Sequence, residues 1–207
     1  MTSSTRQRLI DGAFQTLHRH GVAGASARGI AAAAGVNQGL IFYHFGSVDA
    51  LLAEACQAAA AQRVEYYRAQ LAGVGSVREL LALGRELHAT ERELGNVAVL
   101  AQLLAGAQAN PGLAAAARTA MTLWTTEIEA ALIRVVANSP VGDVVDCAGL
   151  AHAVSAGFIG LELYEGVDPA GAEAGFAALE QLGVLVDVVD QLGPVARRAL
   201  NAKLRRS

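Results

Sequence analysis

Residues 26–45 read Ser-Ala-Arg-Gly-Ile-Ala-Ala-Ala-Ala-Gly-Val-Asn-Gln-Gly-Leu-Ile-Phe-Tyr-His-Phe, and no other stretch constrains the fold as tightly. The pattern predicts two short helices joined by a tight turn. Ser26 and Asn37 are N-cap residues, because each side chain accepts a bond from an N–H left unpaired at a helix start. Gly35 falls where a helix ends in the left-handed conformation that glycine tolerates. Ile30, Ala34, Val36, Ile41 and Phe45 are expected to meet as an inner core. Gln38, Gly39, Leu40, Tyr43 and His44 then face outward on the second helix. A helix that shows polar and aromatic tips straight after such a turn is shaped to lie in a DNA major groove.

Charge is placed consistently with that reading. Residues 1–50 hold Arg6, Arg8, Arg19 and Arg28 against Asp11 and Asp49, so +4 and −2 give +2. The whole chain has 16 basic and 19 acidic residues, which leaves 12 against 17, or −5, for the remainder. A basic head on an acidic body fits a nucleic-acid contact confined to the N-terminus. The chain is 53% hydrophobic, but much of this is alanine, the best helix former. With no strand-rich segment, the expected class is all-α: a three-helix DNA-binding head and a larger helical domain.

The pass along the chain supports this. A first helix is expected from about residue 5 to 20, opened by Ser4 with Gln7 and closed by Gly21. A long fourth helix runs from Ser47 to about Leu71. Ser76 and Glu79 open the next, to about Glu93, and a helix to about Ala109 follows Gly95. Asn110-Pro111 restarts the chain, to about Ala137, and Asn138-Ser139-Pro140 closes that helix. Two further helices span about Asp143–Glu165 and Ala170–Gln191. Pro194 starts the last, which ends in Lys203, Arg205 and Arg206. The boundary between head and body is placed at residues 46 and 47, giving domains of 1–46 and 47–207.

Cys147 to Leu161 carries no formal charge on any face, so that helix must be covered on more than one side. Beside it, Leu179, Leu182, Val186 and Val189 form one stripe, while Val184, Leu185 and Val188 lie off it. This is more apolar surface than one core consumes. It points to a subunit interface formed by positions that include Ala151, Phe158, Leu179, Leu182, Val186 and Val189. The charge-free run Leu94–Ala117 contains Asn96, Gln102, Gln108, Asn110 and Pro111, and is read as two soluble helices rather than a membrane span. Charge throughout residues 1–20 argues against a secretory leader, so a cytoplasmic location is expected.

Residues 9–53 resemble the TetR family of one-component transcriptional regulators. The resemblance is carried by Ile10, Ala13, Phe14, Gly21, Ser26, Arg28, Ile30, Ala31, Ala34, Gly35, Val36, Gly39, Tyr43, His44, Phe45 and Leu51. It implies a homodimer that binds a palindromic double-stranded operator, with a small-molecule effector in the helical body. By position it implies that Arg28 and Gln38 reach base edges and that Gly39, Tyr43 and His44 meet the backbone. Leu40 either touches a thymine methyl or packs inward. Arg28 and Gln38 also have plainer uses, as a solvated arginine and as capping support. Two positions depart from the family: Phe42 often holds tyrosine there, and Val48 often holds lysine. Each removes a phosphate contact, which shifts weight to Arg6 and Arg8.

Tyr66, Tyr67, His88, Gln102, Met121, Trp124 and Phe158 are candidates to line an effector cavity, apolar with a few polar anchors. Ordinary core packing is the alternative for any one of them. The expected function is thus a repressor released by an apolar ligand. Its rivals are a constitutive DNA-binding protein with a filled core, and a helical enzyme or carrier. No catalytic motif, cofactor motif or metal-ligand spacing is found. Cys56 and Cys147 read as reduced core residues.

Overall fold

A computed structural model describes residues 4–137, 139, 142 and 145–204. Asn138, Pro140, Asp143, Arg205 and Arg206 lie outside the described residues. Ten helices and no strand are found among the described residues: α1 (Thr5–Gly24), α2 (Ala27–Ala34), α3 (Gly39–Phe45), α4 (Val48–Gly73), α5 (Val77–Glu93), α6 (Asn96–Ala107), α7 (Pro111–Val136), α8 (Cys147–Glu165), α9 (Pro169–Asp190) and α10 (Pro194–Leu204). The all-α expectation is met.

The caps follow the sequence signals. Ser4 Oγ accepts from Gln7 N at 3.2 Å, and Ser26 Oγ from Gly29 N at 3.1 Å. Asn110 Oδ1 accepts from both Gly112 N and Leu113 N, fixing the start of α7. Two boundaries differ from expectation. α1 continues one turn past its break at Gly21, where φ is 68°. α8 starts at Cys147 rather than near residue 143, because Asp146 is the residue whose side chain accepts from Gly149 N.

The chain divides into two compact units. The first comprises Met1–Glu65 and Glu91–Leu123; the second comprises Tyr66–Thr90 and Trp124–Ser207. The core of the first unit joins Leu9, Ala13 and Leu17 of α1 to Ile30 of α2, Ile41 of α3, Leu51, Leu52 and Ala55 of α4, Val99 and Leu103 of α6 and Leu113 of α7. The core of the second unit joins Tyr67, Leu71, Val74, Leu80, Ala131, Leu132 and Ala151, with Trp124 and Ile128 packed against them.

Cys56 belongs to the first core and is 6% exposed. Burial disfavours its thiolate and pushes the thiol up from 9.0 to about 11. The unfolded chain therefore ionises here before the native one. The stabilising contribution is whole below about pH 9 and is lost as pH rises toward 11. Urea melts across this range are expected to show a stability decline that Cys56→Ala flattens. Iodoacetamide should label Cys56 only in denaturant.

Candidate nucleic-acid interface

The head is built by close approach and one special turn. A Cβ at Gly12 of α1 would lie 2.9 Å from the Ala34 backbone nitrogen and Cβ, so only glycine lets α1 and α2 pack this closely. Gly35, at φ 64° and ψ 39°, ends α2 in the left-handed region and turns the chain into α3. Asn37 Oδ1 then accepts from Gly39 N at 2.8 Å, satisfying a donor at the start of α3.

α3 has two unlike faces. Ile41 is fully buried, with Leu40 and Phe45 packed against the same core. On the other face Gln38 and Gly39 are exposed, Phe42 is 53% exposed and Tyr43 is 81% exposed. These four positions follow helical spacing. Leu40 and His44 are half-buried and flank the exposed face rather than forming its centre. The His44 ring stands edge-on to Tyr43 with centroids 4.9 Å apart. Arg28 is exposed on α2. In the sequence Phe42 stands out only as a missing hydroxyl. Its position three residues after Gly39 and one before Tyr43 was the signal that it belongs to the outer face.

Arg6 and Arg8 are both engaged within the protein. Arg8 Nη2 donates to Ala34 O at 2.8 Å and Gly35 O at 2.7 Å, closing the carbonyl end of α2. Arg6 grips Glu54 of α4 and lies 5.1 Å over the Phe45 ring. The expectation that a free arm carrying both arginines compensates for Phe42 and Val48 is therefore corrected for Arg8. Its guanidinium is a structural clasp.

The candidate effector residues separate between the two units. Tyr67 and Trp124 pack with centroids 6.0 Å apart in the second unit. Tyr66 is 60% exposed, edge-on to Tyr67. His88 is buried in the same unit, 5.8 Å from Phe158 and 4.8 Å from Phe176. Its Nε2 lies 2.7 Å from Glu165 Oε2 and its Nδ1 3.5 Å from Glu162 Oε1. Glu162, Glu165, Phe176 and the buried Ser155 were missed; Ser155 and Glu162 lie seven residues apart on the face of α8 that also carries Phe158. Gln102 and Met121 belong to the first unit. Gln102 is exposed, and its Oε1 accepts from Val22 N at 2.9 Å beside the break in α1. That bond is a structural use for a residue read as a cavity anchor.

The outer faces of α8 and α9 also differ in detail from expectation. Ala151 is 1% exposed and belongs to the second core, so it is removed from the partner surface. Phe158, Leu179, Val186 and Val189 are half-buried, whereas Leu182 is 56% exposed. The positions read as lying off the stripe, Val184, Leu185 and Val188, are exposed.

Residues 9–55 match the bacterial regulatory proteins of the tetR family. The N-terminal head is therefore of the TetR-family type. A head of this type is that of a DNA-binding transcriptional regulator. The fold of the chain is similar to that of a protein from a Rhodococcus species assigned to TetR-family transcriptional regulators, with a TM-score of 0.71, 23% identity, and 90% of this chain and 98% of that one covered. It is similar also to a transcriptional regulator from Rhodococcus sp. Rha1, with a TM-score of 0.67, 26% identity and coverage of 92% and 100%. FadR from Bacillus subtilis, solved with stearoyl-CoA, shares the fold at a TM-score of 0.66, 16% identity and coverage of 84% and 96%. No curated protein matches the chain.

The clasp at Arg8 is testable. Arg8→Ala leaves the Ala34 and Gly35 carbonyls without that donor. Thermal melting of the variant is expected to show a loss of about 0.5–1.5 kcal/mol, the net range for an intramolecular hydrogen bond in reach of solvent. Far-ultraviolet circular dichroism should be unchanged before the transition.

Proposed function

We propose that this TetR-family regulator is a cytoplasmic repressor: a homodimer that binds a palindromic operator through α3 and leaves it when a small molecule occupies the helical body. The exposed face of α3 carries the reading. Two adjacent aromatic side chains, at 53% and 81% exposed, stand on a helix whose opposite face is sealed into a core. Such a face is built for a partner. In this reading Arg28 and Gln38 reach base edges, and Arg28 is suited to bidentate contact with guanine. Gly39 admits the backbone, Tyr43 and His44 meet phosphate and sugar, and Phe42 and Leu40 offer apolar contact to a thymine methyl. Residues 1–46 serve DNA and residues 47–207 serve ligand and partner.

The homodimer is assigned to α8 and α9. Their exposed positions include Leu150, Leu163 and Tyr164 on α8 and Leu182, Leu185 and Val188 on α9. α8 has a mean hydropathy of 1.3 over its most apolar window, of which 17% is buried. Length and hydropathy alone would allow it to cross a membrane. A second copy is the covering favoured here, because α9, which packs on α8, also exposes apolar residues. A dimer also presents two α3 helices to successive major grooves, roughly 34–36 Å apart.

The effector is assigned to the second unit. Tyr67, Trp124, Phe158 and Phe176 supply apolar contact, and His88 with its two glutamates supplies a polar end. FadR was solved with an acyl-CoA, and that lends the fold's capacity for a lipophilic ligand, not its identity. The ligand need only bind better to the state that does not fit the operator. By linkage, operator then weakens ligand binding by the same factor.

Two tests follow. Duplexes selected from random sequence should be palindromic, and Tyr43→Ala should weaken binding to them with unchanged melting. Arg28→Ala should also relax preference at one half-site position, at about 1–3 kcal/mol. Wild-type affinity in both variants sinks the assigned face. Separately, Leu185→Asp puts a charge on the α8–α9 surface, and light scattering should report a monomer that still melts cooperatively. A wild-type protein that is monomeric at micromolar concentration sinks the dimer.

A further inference from the structure

The Arg6–Glu54 pair lies at the edge of the DNA-facing helix. Arg6 Nη1 is 2.5 Å from Glu54 Oε1, and Nη2 is 2.6 Å from Oε2, so the guanidinium fork meets both carboxylate oxygens. The same guanidinium sits 5.1 Å over the ring of Phe45, the last residue of α3. The side chains are 50% and 31% exposed, so the pair is open to solvent and not sealed in the core.

The dimensions matter. α3 has seven residues and is therefore about 10 Å long. A major groove is about 12 Å wide. A helix of this length lying in the groove brings its ends close to the flanking phosphate strands. The C-terminal end is the unfavourable one, since its free carbonyls carry partial negative charge that repels phosphate. Arg6 is the cation placed over that end. Arg8 is committed to the carbonyls of Ala34 and Gly35.

Carboxylate and phosphate present the same chemistry to an arginine fork: two coplanar anionic oxygens, accepted bidentately. We propose that Arg6 is a DNA-phosphate contact and that Glu54 is its internal stand-in for phosphate, holding the guanidinium until a backbone phosphate displaces the carboxylate. The exchange has a consequence for affinity. Every duplex, right or wrong in sequence, must break the pair before it gains the contact, and the released Glu54 then faces a polyanion. Glu54 thereby lowers the phosphate-driven affinity for all duplexes alike and leaves sequence discrimination to the base contacts. Phe45 keeps Arg6 over the end of α3 in both states, through its ring face.

This rests on the DNA-binding reading, and the experiment separates the two. The probe is a fluorescent duplex of arbitrary sequence, long enough for two successive major grooves, titrated by anisotropy between roughly 50 and 200 mM salt. Wild-type protein, Arg6→Ala, Arg6→Lys, Glu54→Gln and Asp11→Asn are compared. Asp11→Asn removes one negative charge from α1 without touching the pair, so it measures the general effect of head charge. Glu54→Gln is expected to bind about two- to fivefold tighter than Asp11→Asn, the scale of an exposed ion pair. Arg6→Ala is expected to bind more weakly and to flatten the log–log salt slope by about one. Arg6→Lys should keep the slope at reduced affinity, which guards against a folding defect in the alanine variant.

A wild-type protein that binds no duplex at low salt defeats the DNA-binding reading itself. If wild type binds, two results overturn the proposal. One is an unchanged slope in Arg6→Ala. The other is a Glu54→Gln variant no tighter than Asp11→Asn, as a purely structural clamp between α1 and α4 would give.

Discussion

The left-handed turn at Gly35 is the constraint on which the head depends. α2 and α3 have eight and seven residues, too short to persist as isolated helices in water. They exist because the turn lets Ile30 and Ile41, both fully buried, enter one core with Leu9 and Leu17 of α1. Arg8 fastens the same turn from outside by taking the last carbonyls of α2. Gly12 removes the side chain that would hold α1 away. Each device is local, and together they fix which side of α3 remains outside. The outward face of Gln38, Gly39, Phe42 and Tyr43 is thus a consequence of core packing.

That logic explains what was legible in the sequence. The head was readable because its signals are short-range: caps two or three residues from their donors, a glycine at a helix end, apolar residues at helical spacing. Ser26, Asn37, Gly35 and Asn110 all act locally, and the structure places each at its expected cap or turn. The face of α3 was blurred by one step, because Leu40 and His44 sit at its margins, where helical periodicity alone does not decide burial. What the sequence hid were contacts between distant positions. Arg6 with Glu54, Arg8 with Gly35, Gln102 with Val22 and His88 with Glu165 are separated by 48, 27, 80 and 77 residues. No spacing rule reaches that far.

The same contacts show how charge is used in a chain rich in alanine. Four arginines are held by carbonyls or carboxylates: Arg8 at the end of α2, Arg6 on Glu54, Arg63 on Glu91, Arg85 between Glu173 and Glu180. The hydrogen bond to Glu180, then that to Glu173, hold the Arg85 guanidinium even more firmly protonated than usual. Glu91 is buried, and Asn96 adds a second donor to it. Removing one partner from such a pair costs far more than the pair contributes, since a buried charge is left behind. Among these, the Arg6–Glu54 pair is bidentate, open to solvent and set beside the C-terminal end of α3.

α8 inverts the usual arrangement of a surface helix, and this bears on the proposed second copy. Its buried residues are Ala151, Ser155 and Glu162. Its exposed positions include Leu150, Ala153, Ala156, Gly157, Gly160, Leu163 and Tyr164. A helix that faces water normally puts charge outward and hydrocarbon inward. Here Glu162 and Glu165 point to His88, and the small and apolar residues point away from their own core. The polar side is already occupied within the chain. Desolvating a carboxylate is costly, and at Glu162 the His88 ring lies beside it, with Nδ1 3.5 Å from Oε1. The opposite side has no such use inside the second unit. Small residues there give a smooth surface on which another helix can approach closely, flanked by Leu182, Leu185 and Val188 of α9. The inward polarity and the outward apolarity of α8 are therefore two halves of one arrangement: the glutamates hold one side of the helix against His88, and its hydrocarbon lies on the other.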